Sequence, residues 1–448
     1  MRRAPITSRC SARRLAPALA LLAVAVAVAV PAPAQAANWR LEPIAGSTGV
    51  AELHELDFDA RGHALLSWNG AERSHDPPVF TGLVTRDTNG SWGRPTDLRG
   101  IVPTNTQIHM FGTVNALLVA REATSATSKR RLITAEGQSD GGFDAFGTLD
   151  EFVSHHWSAV NPAGDAIVAW TVERSPFLRV AERRAGQPFA AARDLALGKT
   201  AAVALNARGD RVLVWRAGTR LAARFRPVGG EWSATKRFGR VQTIQGLRLS
   251  ALLVRNGRVV VTWGSVGRPC GTAVRDGAGK WTTRTLERRC GRSGAESREA
   301  PVQPVADGKG ATYVAWTGRI GRTRTGRQVV KFARVGPGAS RTPLVLSRQR
   351  GAVLDDIAAG PGRALAVTYT APRPTPARPL LFATFATLRR DGATFTRADR
   401  LTPTNVFVAQ GSRVAFQPLT GEPLVAVPFL VGRTVAVAAA VGPPAPSP

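Results

Sequence analysis

All six histidines of the chain precede residue 157, and four of them, His54, His109, His155 and His156, fall in short segments that alternate polar and apolar residues. Glu55 and Asp57 neighbour His54, Trp157 follows His156, and Asp355 and Asp356 occupy a similar segment far downstream. Imidazole and carboxylate together could hold a divalent metal or work as acid and base on a sugar. An aromatic ring beside polar groups suits stacking against a sugar. The candidate ligand-binding set is therefore His54, Glu55, Asp57, His155, His156, Trp157, Asp355 and Asp356. No catalytic residue is assigned, and the sequence requires no cofactor; a divalent metal is the one that this residue set would suit. The spacing matches no metal-ligand signature, so a second reading stays open in which these groups hydrate a channel or cap loops.

Three other motifs call for chemistry and find a plainer explanation. Gly137-Gln138-Ser139-Asp140-Gly141 has the spacing of a nucleophile elbow, but it lies in a Gly-rich turn and not at the strand-to-helix turn that exposes such a serine. Arg208-Gly209-Asp210 spells an adhesion tripeptide inside NARGDRVLVW, residues 206–215. Cys270 and Cys290 flank GTAVRDGAGKWTTRTLERR, read as two strands about the turn at Asp276-Gly277. Folding that hairpin brings its ends together, so a disulfide is expected, two thiols alone being too few for a metal site.

The elements that position these residues emerge from an internal repeat. NPAGDAIVAW (161–170) and NARGDRVLVW share a turn, a glycine and an apolar strand closing on tryptophan six residues later. DARGHALLSW, RNGRVVVTW and DGKGATYVAW repeat the pattern, and FGTVNALLVA, GPGRALAVTY and LTGEPLVAVPF are weaker copies. The marker glycines are Gly62, Gly112, Gly164, Gly209, Gly257, Gly310, Gly362 and Gly421, spaced about 51 residues apart. In most units a second aromatic follows a later Gly-rich turn, as at Trp92, Phe143, Phe189, Trp232, Trp281 and Phe395. With the segment before each marker glycine, this gives four strands per unit and no useful helical periodicity. Four short strands in some 50 residues describe one blade of an all-β propeller.

The eighth unit lacks a fourth strand, and NWRLEPIAG near the N-terminus supplies one, its Trp39 standing where Trp92 and Trp232 stand elsewhere. The expected fold is eight four-stranded blades in a ring closed by this N-terminal strand, with seven blades as the alternative. Tryptophans in equivalent slots are expected to pack between blades. Arg208-Gly209-Asp210 becomes one variant of the repeated turn, Gly209 filling the slot of Gly62 and Gly164.

NPAGDAIVAW resembles the Asn/Ser-Pro-x-Gly strand signature of TolB-type and related bacterial propellers, and the chain is similar to secreted bacterial repeat proteins across nearly its whole length. The resemblance implies a propeller and an extracytoplasmic location, not an activity. TRDTNGSW (85–92) partly resembles the Asp-box hairpin of sialidase-like propellers through Asp87, Ser91 and Trp92, which implies a structural turn. No counterpart of a sialidase catalytic set is found.

Residues 1–36 read as an export signal: five arginines, a 13-residue apolar run from Ala18 to Val30, and Ala34-Gln35-Ala36 before the cleavage point. That run is shorter than the roughly 20 residues of a membrane-spanning helix, so no transmembrane segment is expected after signal cleavage. Residues 37–442 are assigned to the propeller and 443–448 to a disordered Pro-rich tail. The chain carries a formal charge of +29, and 54 of its 60 basic residues are arginine. A GC-rich coding sequence explains such a bias, while a surface attracting anionic polymers is the functional alternative. The expected protein is a secreted, monomeric, non-catalytic binding or scaffold module whose partners are an anionic polymer, glycan or cell-envelope component. The alternative is a polysaccharide hydrolase or lyase with its site at the channel mouth.

Overall fold

The computed structural model describes residues 39–443 except 48, 71–79, 100–105, 113–114, 124–129, 139–141, 144–145, 242–245, 292–301, 322–326, 337, 341, 376–377, 391–393, 403–410 and 432–433. The expected signal segment, most of the Pro-rich tail and Ser139 of the elbow-like motif lie outside the described residues.

Second strands such as Ala64–Gly70 and Ala166–Val172 are buried almost throughout, as a strand sandwiched between neighbouring sheets must be, and read as continuous apolar runs. First strands such as Val153–Val160 mix buried and accessible positions. Fourth strands such as Leu344–Val345 are short and exposed. The described strands form eight four-stranded antiparallel sheets, a ring of eight propeller blades. The first strands, in order from blade 1, are Val50–Phe58, Gln107–Phe111, Val153–Val160, Ala201–Leu205, Arg248–Leu253, Val302–Ala306, Val353–Ala359 and Arg413–Phe416.

Blade 8 settles the count. Its fourth strand is Arg40–Pro43, paired antiparallel with Thr434–Val441 so that Arg40 faces Val441 and Pro43 faces Ala438. Trp39, buried, packs with Leu388 of blade 7 and Val414 and Val425 of blade 8. N-terminal and C-terminal strands thus share one sheet, in which Arg40–Pro43 is the outermost strand and covers the outer edge of Thr434–Val441.

The apolar cores belong to the seams and not to single blades. Leu65 and Leu83 pack with Ile108 and Leu118 between blades 1 and 2, and Phe111 and Leu117 pack with Val168 and Trp170 between blades 2 and 3. Trp68, Trp170 and Trp316 are among the largest fully buried side chains. Opposite Trp68 the ladder carries Gly82, where an added Cβ would stand 2.2 Å from the indole, so the ring lies flat on bare backbone.

The marker turns join first to second strands. Gly209 has φ 89°, and its amide donates to Asn206 O at 2.9 Å. Asn206 Oδ1 accepts from the amides of Arg208 and Asp210, each at 3.0 Å. Asp210 is buried and accepts from Asn206 Nδ2, Arg208 Nη2 and Val228 N at 2.8, 3.0 and 3.0 Å. An aspartate committed in this way cannot reach a receptor, so the tripeptide is a turn. Asp87 is likewise structural: Ser91 N donates to its Oδ1 at 2.7 Å.

The arginines are not merely scattered, contrary to their appearance in the linear sequence. Arg86, Arg183, Arg226, Arg275 and Arg389 each pair with the first residue of their second strand, at Ala64, Ala166, Arg211, Val259 and Leu365. Four of them reach the preceding blade's carboxylate: Arg86 to Glu42, Arg183 to Glu136, Arg226 to Glu182 and Arg389 to Asp307. Arg275 instead lies 4.4 Å over the Phe225 ring of blade 4. These are inter-blade pins, and Arg183, Arg275 and Arg389 also lie over aromatic rings at 5.4, 4.4 and 4.4 Å from the ring centre.

Candidate functional site

The sequence-predicted residues lie on the first strands of blades 1, 3 and 7, at a common height set by the ladder. Leu53 faces Trp68 and Glu55 faces Ser67, with a register shift at His54 between them. Leu354 faces Tyr369 and Asp356 faces Thr368, with the same shift at Asp355. His156 faces Trp170, and His155 faces Thr171. A bulge re-aims the residue that it inserts, which places His54 and Asp355 in equivalent positions on two blades.

The carboxylates are spent on the neighbouring blade. Glu55 Oε2 accepts from Ile108 N at 3.0 Å, and Asp57 accepts from Phe58 N at 2.8 Å and Met110 N at 3.2 Å. Asp356 does the same between blades 7 and 8, accepting from Ile357 N at 2.8 Å and Val414 N at 2.9 Å. Asp355, buried, accepts from Thr370 Oγ1 at 2.6 Å and Ser412 Oγ at 2.8 Å. Burial pushes the carboxyls of Asp57 and Asp355 up to about 6, with Glu55 adding repulsion at Asp57.

The imidazoles divide into two kinds. His156 is buried, and burial together with the Arg121 guanidinium depresses it to about 3. His109, also depressed by burial, to about 4, has Nε2 2.7 Å from Ser158 Oγ and Nδ1 3.5 Å from Glu55 Oε1. His155 is exposed and meets Trp157 edge to face at 6.3 Å between ring centres. Trp157 itself packs against the core between blades 3 and 4. His54 is half-buried, and its carbonyl accepts from Arg413 Nε at 2.7 Å.

Several members of this arrangement were not among the eight residues singled out from sequence. Gln107 Oε1 accepts from Ser158 N at 2.9 Å and from Ser158 Oγ at 2.8 Å, tying blade 2 to blade 3. Gln303 Nε2 donates to Asp355 O at 3.0 Å from blade 6. Arg413 also donates to Leu53 O at 3.0 Å, tying blade 8 to blade 1. The result is a hydrogen-bonded arc through the first strands of blades 6, 7, 8, 1, 2 and 3. Their signal was position: each is a polar residue on a first strand. Among the described residues, no three His, Cys, Asp or Glu side chains are grouped so as to hold a metal ion. No described helix is long and apolar enough to cross a membrane. Cys270 and Cys290 form a disulfide with Cα atoms 5.8 Å apart.

No protein-family model and no curated protein matches the chain. Solved propellers do. A polysaccharide lyase described as an ulvan lyase aligns over 89% of this chain and 95% of its own at 11% identity and a TM-score of 0.51. The same type of lyase bound to -[GlcA(1-4)Rha3S]- aligns over the same shares at 10% identity and a TM-score of 0.50. The six-bladed fucose-recognising lectin of Aleuria aurantia aligns over 65% of this chain and 96% of its own, at 15% identity and a TM-score of 0.35. At such identities the likeness speaks for the propeller fold alone.

Proposed function

We propose that this protein is an exported, non-catalytic binding module for an anionic polysaccharide, with the ring as a rigid scaffold. The observation that carries the reading is the commitment of Asp57, Asp355 and Asp356 to backbone and hydroxyl donors, two of them across a seam to the next blade's amides. A general acid or nucleophile must present its oxygen to substrate, and oxygens already accepting such hydrogen bonds are poorly placed to do so. The strongly basic formal charge, +29 with the five arginines of the expected signal counted, supports an anionic partner, because summed positive charge concentrates polyanions at a surface. The Cys270–Cys290 disulfide supports an oxidising compartment. Propellers of this fold that act on or bind saccharides are a precedent for the ligand class, without carrying the reading.

A second reading, hydrolase or lyase, draws on the Glu55–His109 pair, since both side chains keep some solvent access. A glycan array run with and without a chelator, followed by a turnover assay on every glycan retained, separates the two. Retention of sulfated or uronate-bearing glycans, unaffected by chelator and without chain cleavage, is expected. Cleavage abolished by Glu55→Gln would overturn the non-catalytic reading.

A further inference from the structure

The slot that an inter-blade arginine fills in blades 5 and 7 is filled differently in the blade between them, blade 6. There Val335, not an arginine, pairs with the first residue of the second strand, Thr312, and the arginine stands one residue earlier at Arg334, facing Tyr313. A shift of one residue along a strand turns the side chain to the other face, so Val335 is buried and Arg334 is exposed. Arg334 borders two adjoining depressions on the marker-turn side of blades 5, 6 and 7, of about 380 and 340 Å³.

The two depressions share Tyr313, Arg334 and Arg363, and their remaining cations are Arg389 in one and Arg258 and Lys309 in the other. Among the described residues, neither is lined by a carboxylate. Asp307 lies just below them, its side chain fully buried and already accepting from Lys309 N at 3.1 Å, Ala311 N at 2.9 Å and Tyr313 Oη at 3.1 Å. Its remaining partner is Arg389 at 3.7 Å, itself held 4.4 Å over the Tyr313 ring and donating to Arg363 O at 3.2 Å. Among the described residues, one buried carboxylate here stands beside five cations that line the two depressions. Marker turns with Gly310 at φ 78° and Gly362 at φ 62° hold the backbones that bring them together. Like charges so gathered repel, and an anion that neutralises them relieves that cost.

We infer that this double groove is the docking site for a sulfated or carboxylated polysaccharide, with Arg334 and Arg363 as its principal contacts and successive acidic groups of one chain seated in the two depressions. The inference rests on the binding reading above and assigns it a place. Guanidinium groups suit sulfate and carboxylate because both offer paired oxygens to its fork of donors. Nucleic acid is the poorer fit: of the three lining rings Tyr313 and Phe332 are buried, and Phe395, half-buried, is packed edge to face on Phe332, so the groove offers little ring face on which bases could stack.

The test is titration of the whole chain with a heparin oligosaccharide and with an oligouronate at about 0.15 M salt. R334A/R363A is compared with wild type and with R220A/R240A, which removes the same charge from exposed arginines elsewhere on the ring. Loss of at least tenfold in affinity is expected for R334A/R363A, as each charge-assisted contact is worth about a factor of ten, against less than threefold for the control. Equal weakening of both pairs would overturn the groove while leaving polyanion binding standing. No binding of either saccharide by wild type would overturn both. Duplex DNA bound as tightly, with the same dependence on Arg334 and Arg363, would give the groove to nucleic acid and overturn the polysaccharide assignment.

Discussion

The first strands of blades 4 and 5 meet through small apolar groups, Ala202 and Ala204 packing with Leu249 and Leu253 in one cluster. Those from blade 6 around to blade 3 meet through carboxylates, amides and a guanidinium. Both solutions close a seam, but burial of apolar surface is non-directional, whereas a hydrogen bond specifies partner and angle. The polar arc includes blade 8, the one sheet assembled from both ends of the chain. Its seams need a stated register, and Asp356 to Val414 N on one side and Arg413 to Leu53 O on the other provide it. Polar residues around a propeller channel therefore need not signal chemistry.

The sharpest way to break this comparison is to remove the strand that makes blade 8 composite. Deleting residues 37–46 should cost more than about 4 kcal/mol or abolish cooperative melting, while truncation at Pro443 should change the melting temperature little. Equal effects would show that closure contributes nothing special. Next in size, Leu249→Ala in the apolar arc and Arg413→Met in the polar arc should each destabilise by about 2–4 kcal/mol, the first through a cavity and the second through stranded acceptors. Chemical denaturation measures both.

The third prediction separates the arcs by pH. Asp355 is held at about 6 in the fold, above the usual carboxylate range, so its contribution is whole below pH 4 and is lost as pH rises through about 6. Asp355→Asn cannot ionise, so relative to wild type it should gain on the order of 2 kcal/mol between pH 4 and pH 7. Leu249→Ala should show a constant deficit over that range. The buried imidazoles run the other way. His156 and His109, depressed to about 3 and about 4, contribute stability that is whole above their ordinary value and falls away as pH drops toward the folded value. His156→Gln should accordingly flatten acid unfolding below pH 6. The smallest effect is expected at exposed His155, where Ala should change stability by less than about 0.5 kcal/mol.

The sequence made the blades legible because a turn glycine and a tryptophan six residues later repeat at a nearly fixed interval, and because Trp39 fills an aromatic slot that the last unit lacks. It exposed the disulfide through the hairpin between the two cysteines. What it concealed were contacts between residues one blade apart, such as Glu55 with Ile108 N, 53 positions away. Sequence places a carboxylate on a first strand but cannot say whether it points into the channel or at a neighbour's amide. That choice is made by the bulges at His54 and Asp355. The arginine slot was hidden because it is defined by the end of the third strand, and third strands here range from the six residues of Cys270–Arg275 to the twelve of Arg378–Arg389.

The central claim is that the channel arc holds the ring together while the arginine groove of blades 5 to 7 holds the ligand. It is tested most directly by measuring melting temperature and heparin-oligosaccharide affinity in parallel for Asp355→Ala, Arg413→Met and R334A/R363A. The two arc variants should melt lower with affinity unchanged, and the groove variant should melt as wild type does with affinity reduced at least tenfold. Lost affinity in well-folded arc variants, with the groove variant binding as wild type, would contradict it.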